Sequence, residues 1–370
     1  MTSMRRNAGS RYMQWAKTSS TAKHNLATSG MANLPLSELD VNLQELEING
    51  QTIYGYQPLL EGIAARYRVP QECVVSAMGT SFANYLALAA TTEPGDEVLI
   101  EQPTYDPILG SARYLGLGIK RFQRKAEQGF ALDLAEVERN LSARTRVIVL
   151  CNLHNPSGTL APDSALREIA ALAKTRGACV LVDEVYRELL FEAAPNTAFH
   201  LDPDCFIVTS SLTKAYGLSG LRCGWVLARP EMAKRMWHIH DVHAATYPFM
   251  AEYLSVLALK KLPQIVARMK SMLDQNRALL RAFLEQRDDL DYCWPEFGTI
   301  TFPRLKHGSV DELCSVLRNE FDTSVVPGEF FEMANHFRLG VGGATAEVRA
   351  SLEQLARGLN RYQVSVTGRP

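Results

Sequence analysis

A chain of 370 residues, 46% of them hydrophobic, can bury enough apolar surface for two domains or for one large α/β unit with an appendage, so disorder is excluded as its default state. Charged residues make up 21% and cancel to a formal net charge of -1, which leaves no global field to attract nucleic acid or an anionic membrane. The seven cysteines form an odd set without a Cys-x-x-Cys pair, and several lie in apolar runs, so they are expected to be reduced core thiols of a cytoplasmic protein.

In chain order, Arg5, Arg6 and Arg11 come first, followed by the alternating polar and apolar residues 12–17 and a Ser/Thr run, a pattern without the apolar core of a secretory signal. From about residue 73 to 228, short apolar runs alternate with helical patterns, the arrangement of βα units on a mostly parallel sheet. Seven strands are predicted, over 73–77, 97–101, 119–123, 146–151, 179–182, 206–210 and 223–228. Helices are predicted over 81–90, 107–115, 134–140 and 162–175, the last opened by Pro162 in its first turn. Even the longest apolar runs, such as 147–151, are far too short for a membrane span and suit strands buried on both faces.

After Pro248 the pattern turns helical, over 249–260 and then 265–286, where apolar spacing suits a long helix between two domains. A strand near 298–302, a helix over 311–319, a strand at 336–339 and a closing helix over 346–360 complete an α+β cap. The expected architecture is thus a large α/β domain over 45–262, with a smaller α+β domain built from residues 1–44 and 263–370.

In such sheets ligands collect at the carboxyl ends of the strands, so the residues following each strand carry the functional reading. Gly79-Thr80-Ser81 opens a helix after the first strand, where N–H groups and hydroxyls suit a phosphate; a simple helix cap explains it as well. The fourth strand leads into Asn152-Leu153-His154-Asn155-Pro156-Ser157-Gly158, a polar turn. Asp183 ends the fifth, at the edge of a buried run where a charge needs a cationic partner, and a structural ion pair is the plain alternative. Lys214 stands just past the sixth strand among small and hydroxyl residues, partly desolvated and so made nucleophilic, the best candidate for a Schiff base. Arg222, eight residues on, could return to the same mouth and grip a phosphate.

The segment Ser211-Leu212-Thr213-Lys214, continuing through Gly217-Leu218-Ser219-Gly220-Leu221-Arg222-Cys223-Gly224, together with Asn155-Pro156-Ser157-Gly158 and Asp183-Glu184-Val185-Tyr186, resembles the class I/II aminotransferases of the pyridoxal-5'-phosphate (PLP) fold type I superfamily. The resemblance runs in order over roughly residues 50–345. It implies that Lys214 carries PLP as a Schiff base and shuttles the substrate proton, and that Asp183 pairs with the pyridine nitrogen so that the ring accepts electrons. It implies further that Asn155 and Tyr186 bond the cofactor's 3-oxygen, that Tyr105 stacks on the ring, and that Gly79, Thr80, Ser81, Ser211 and Arg222 form the phosphate cup. Arg338 matches the arginine that clamps the substrate α-carboxylate, with Gly30 and Asn155 beside it. The implied substrates are an amino acid and a 2-oxo acid. The implied assembly is a homodimer with its site at the interface, to which Tyr54 contributes, Tyr56 competing for that role. Domain closure would bring Arg338 into place, and neither metal, nucleic acid nor membrane is implied.

Departures from the family pattern fall at Asn152-Leu153-His154-Asn155, at Tyr54-Gly55 and over residues 25–33, so His154, Tyr216 and the 25–33 segment are the expected places for substrate choice. Lyases, cyclases, hydroxylases, oxidases and racemases on the same scaffold are the alternative to amino transfer, since the bond broken depends on its angle to the ring. Ser211-x-x-Lys214 also fits the penicillin-recognising serine hydrolases, but the later Lys-Thr-Gly element is missing. A non-enzymatic regulator would need a DNA-binding domain, and none is expected before residue 45. His238, His240 and His243 are spaced unsuitably for one helix face or a tetrahedral metal, and a solvated or interface cluster is expected.

Overall fold

The computed structural model describes residues 9–368; Arg5 and Arg6 lie outside the described residues. Seven strands form one sheet: β1 (Val74–Met78), β2 (Glu97–Gln102), β3 (Gly118–Gln123), β4 (Thr145–Cys151), β5 (Cys179–Asp183), β6 (Phe206–Ser211) and β7 (Cys223–Leu227). Each is within a residue of its predicted bounds, because continuous Val/Ile/Leu runs are stable only as strands covered on both faces. The order is β1-β7-β6-β5-β4-β2-β3, with β7 antiparallel to both neighbours and all other pairs parallel. The edge strand β3 carries half-buried Lys120 and Arg121, charges that discourage further strand pairing.

Helices cover both faces. On one, α3 (Gly79–Thr91), α4 (Asp106–Tyr114) and α7 (Pro230–His243) pack on Val147, Val149, Leu181 and Val226. On the other, α2 (Gln57–Tyr67), α5 (Leu134–Asn140), α6 (Asp163–Lys174) and α8 (Phe249–Lys260) meet Ile148, Leu150, Val180 and Val182. The alternation of adjacent strand residues between the two cores is the two-residue side-chain period of a strand. Pro162 is the residue before α6 rather than part of its first turn.

Three helices were not predicted: α1 (Arg11–Thr18), α2 and α7. Proline in the first turn of α2 and of α7 was a legible start signal. On α7 the three histidines part company: His240 is buried edge-on against Tyr247 at 4.1 Å, whereas His238 and His243 are exposed, so only those two are left for solvent or an interface.

Helix α9 (Leu262–Glu285) runs from the second core into a third, built on α10 (Val310–Phe321) and α11 (Thr345–Thr367). There Phe337–Gly340 lies between Ile300–Thr301 and Val326–Pro327, antiparallel to both. N-terminal residues join this unit: His24–Asn25 pairs with Thr323–Ser324, and Leu26 is fully buried in the third core.

Candidate active site

The carboxyl ends of β4, β5 and β6 stand in register, Cys151 beside Asp183 and Asp183 beside Thr209. Asp183 is buried; its Oδ2 accepts from Asn84 Nδ2 at 2.8 Å and its Oδ1 from the Val185 N–H at 3.1 Å. Asn84 in turn accepts from the Thr209 hydroxyl at 2.6 Å, which fixes its amide. The plain alternative, a structural ion pair, is not present: among the described residues no cation bonds Asp183, and burial pushes its carboxyl up to about 6 against the two hydrogen bonds.

Lys214 follows β6 and donates from Nζ to Ser29 Oγ at 3.0 Å, with Nζ 5.9 Å from the centroid of the Tyr186 ring. Burial, aided by the charges of Arg338 and Arg222, holds its amine below the usual lysine range. Lys214 and Asp183 border a cavity of about 160 Å³ that Tyr105, Asn155 and Tyr186 also line. The Tyr105 turn is held to the end of β4 by a fully buried pair, Arg124 Nη1 to Glu101 Oε2 at 2.8 Å, with Glu101 Oε1 accepting from the Cys151 N–H at 2.6 Å.

At the far end, Thr80, Ser81 and Arg222 line the cavity where α3 begins. The Thr80 hydroxyl donates to Ser211 Oγ at 2.9 Å, so Ser211 sits one layer behind, bracing Thr80. Gly79 has φ +76°, and a Cβ there would stand 2.4 Å from Arg222 Nη2; only glycine lets the guanidinium lie against the start of α3. The buried Thr213 hydroxyl, on the cavity wall, has no partner.

Arg338, on the strand Phe337–Gly340, is 1% exposed. Its Nη1 donates to Asn155 Oδ1 at 3.0 Å and its Nη2 to the Tyr12 phenol at 2.9 Å and the Ala27 carbonyl at 3.2 Å. Gly30 lies against the Lys214 turn, where a Cβ would be 3.4 Å from the Thr213 carbonyl. Neighbouring Met31 donates its N–H to the Lys214 carbonyl at 2.8 Å.

Sequence reasoning missed Tyr12 and Met13, which reach the cavity from α1, and Asn84, which anchors Asp183. The Tyr12 phenol is held below its usual range: burial would raise it, but Arg338 and Lys214 outweigh that. Two expectations for substrate choice are corrected. His154 is fully buried and bonds Ser157 and the Pro103 carbonyl, outside the cavity lining, so it shapes its own turn. Tyr216 donates to Glu188 and accepts from Arg66 at 2.9 Å, buried behind Lys214. The 25–33 segment does reach the cavity, through Ser29.

Comparison with known proteins matches residues 30–355 to the family described as aminotransferase class I and II. The chain belongs to that family. This aminotransferase-family chain is 29% identical to capreomycidine synthase of Streptomyces vinaceus over 353 residues, 92% of this chain and 91% of that protein. To the aspartate/prephenate aminotransferase of Thermus thermophilus it is 25% identical, covering 84% of each. A PLP-dependent aminotransferase from Streptococcus suis superposes with a TM-score of 0.88 at 26% identity, covering 95% of this chain and 98% of that one. The chain is therefore a PLP-dependent enzyme, a transferase of amino groups.

The residues present fit PLP. A desolvated carboxylate held only by neutral donors suits a protonated ring nitrogen, and a buried amine of lowered basicity suits a carbonyl. The glycine opening of α3, with Arg222 lying on it, suits a phosphate. Among the described residues no group of three or more His, Cys, Asp and Glu could hold a metal ion, and no helix is long and apolar enough to cross a membrane.

Proposed function

We propose that Lys214, Asp183 and Arg338 carry the transfer of an amino group from an amino acid to a 2-oxo acid. The observation behind this reading is the meeting of a nucleophilic amine, an uncompensated carboxylate and a buried guanidinium around one cavity. PLP, when bound, supplies a carbonyl for amines and a ring that takes up electrons from the substrate α-carbon. Asp183 would keep the ring nitrogen protonated. Tyr105, Asn155 and Tyr186 would hold the ring and its 3-oxygen, and Gly79, Thr80, Ser81 and Arg222 would hold the phosphate, with Ser211 bracing Thr80. Arg338 binds the α-carboxylate, with Gly30 and Asn155 beside it, and so fixes which α-carbon bond faces the ring. Lys214 Nζ would take up the α-proton, a role that its lowered basicity favours.

The visible spectrum tests the overall reaction. A coloured holoenzyme that an amino acid bleaches lastingly and a 2-oxo acid restores has stored the amino group between half-reactions. The likeness to capreomycidine synthase favours a cyclase as the second reading. That reading moves ahead if colour returns without any 2-oxo acid and the product is a modified amino acid.

The same proposal extends to assembly and motion. Tyr54, 47% exposed and bonded to Asp241 at 3.3 Å, borders an apolar groove of about 1010 Å³ beside Ile53 and Trp237. Leu43, Ile48 and Ile53 are each more than 70% exposed, surface that a second copy would cover, while Tyr56 is engaged edge-on with Phe249. A homodimer with Tyr54 at the shared face follows; light scattering giving the mass of one chain would reject it. Residues 1–44 and 263–370 form the unit that closes on the 45–262 domain over the substrate; scattering profiles that stay the same with substrate would count against closure. The seven unpaired cysteines suit a cytoplasmic location, testable by cell fractionation.

A further inference from the structure

Arg338 is buried yet does not itself border the cavity, whereas Tyr12 and Asn155, which bond it, do. The phenol therefore stands between the guanidinium and the space a substrate enters. Both Nη2 hydrogens are in use, one on Tyr12 and one on the Ala27 carbonyl, and Nε has no partner among the described residues. A carboxylate engages a guanidinium through two N–H groups, so it cannot bind the face toward the cavity while Tyr12 holds it. Of the two Nη2 acceptors, Ala27 is main chain next to Leu26, which is locked in the third core. Tyr12 is a side chain on an eight-residue helix, too short to be stable unless docked.

What docks α1 is local. Ser10 Oγ donates to Asp106 Oδ2 at 2.5 Å, the Tyr12 N–H reaches the same oxygen at 3.3 Å, and the Tyr105 hydroxyl meets Met13 Sδ at 3.3 Å. The Tyr12 and Trp15 rings rest on Phe330 at 5.9 and 5.4 Å. The bond to Arg338 is the link from this helix to the residue assigned to the α-carboxylate.

We infer that Tyr12 is a substrate-exchanged ligand of Arg338: its phenol oxygen holds Nη2 in the substrate-free enzyme, and the incoming α-carboxylate takes that position, so that the Tyr12 side chain and α1 resettle on the cavity wall. The inference rests on the reading that Arg338 binds the α-carboxylate. Tyr12 thus sets the affinity for every carboxylate substrate, because each must replace the same hydrogen bond. It also makes α1 respond to substrate, with Trp15, one turn further along, as a built-in reporter.

The test uses the holoenzyme with two unreactive carboxylates, propanoate and 3-phenylpropanoate. Binding is followed by the visible absorption of the bound cofactor and by Trp15 emission, with Trp15→Phe as the background. In the parent the two signals should share one midpoint. Tyr12→Phe keeps the ring contacts but leaves Nη2 short of an acceptor, so both carboxylates should bind roughly 2- to 10-fold more tightly, the equivalent of one net hydrogen bond. Its Trp15 response should be largely lost, since the hydrogen bond that couples Arg338 to α1 is already absent. Unchanged or weaker binding in Tyr12→Phe overturns the exchange, as does parent Trp15 emission that ignores carboxylate. Arg338→Leu separates the two readings: binding undiminished there rejects Arg338 as the carboxylate clamp, whereas binding lost there together with unaltered affinity in Tyr12→Phe rejects the exchange alone.

Discussion

Replacing Lys214 with alanine is expected to lower turnover about 10⁴-fold, since acid–base transfer alone contributes up to roughly that factor and the nucleophile is lost with it. The fold should persist. The amine makes one hydrogen bond, to Ser29, and the flanking Ala215 and Tyr216 stay in the core without it. Asp183, Tyr105 and Arg222 remain to hold PLP, so the variant should keep a cofactor that dialysis removes more readily than from the parent. Turnover within tenfold of the parent, with normal far-ultraviolet circular dichroism, would reject Lys214 as the catalytic amine.

Asp183→Asn is expected to act in opposite directions on catalysis and on stability. In the holoenzyme a neutral amide cannot hold the ring nitrogen protonated. Breaking a buried charge pair costs about 3–5 kcal/mol, so turnover should fall roughly 10²- to 10⁴-fold with the cofactor still bound. In the cofactor-free protein the carboxylate has no such partner. Its carboxyl lies at about 6, above the ordinary 3.8, so the folded state holds this proton more tightly than the unfolded chain does. The resulting stability is fully present below about pH 4 and is lost as pH rises through about 6. At pH 7 the cofactor-free Asp183→Asn protein escapes this loss of about 3 kcal/mol but gives up one of the two accepted hydrogen bonds, about 1 kcal/mol, so it should be more stable than the parent by about 2 kcal/mol, and its melting temperature should vary less between pH 4 and 6. Denaturant titrations at pH 4 and pH 7, with and without PLP, check both directions. A variant less stable than the parent without cofactor would show that Asp183 is chiefly structural.

Much of this was legible in the chain itself. The seven strands could be read because burial on both faces demands continuous apolar runs, and that demand is local. The positions of Lys214, Asp183, Asn155 and Arg222 could be read because each lies at a strand end or within four residues of one, so its place at the carboxyl edge of the sheet follows from chain order. Helix α1 was not legible: it is short, and polar residues interrupt its apolar ones. Its stability comes from Asp106 and Phe330, distant in sequence.

The sequence by itself determined the sheet, the cofactor chemistry and the family, since all three rest on short motifs and on periodicity within single elements. Only the tertiary structure decided what those groups touch. Asn84 rather than a cation steadies Asp183 from 99 positions away, His154 and Tyr216 turn from the cavity into buried networks, and Tyr12 caps Arg338 across 326 positions. Such pairings depend on how helices and strands pack against one another, and no local propensity encodes the packing of residues so far apart in the chain.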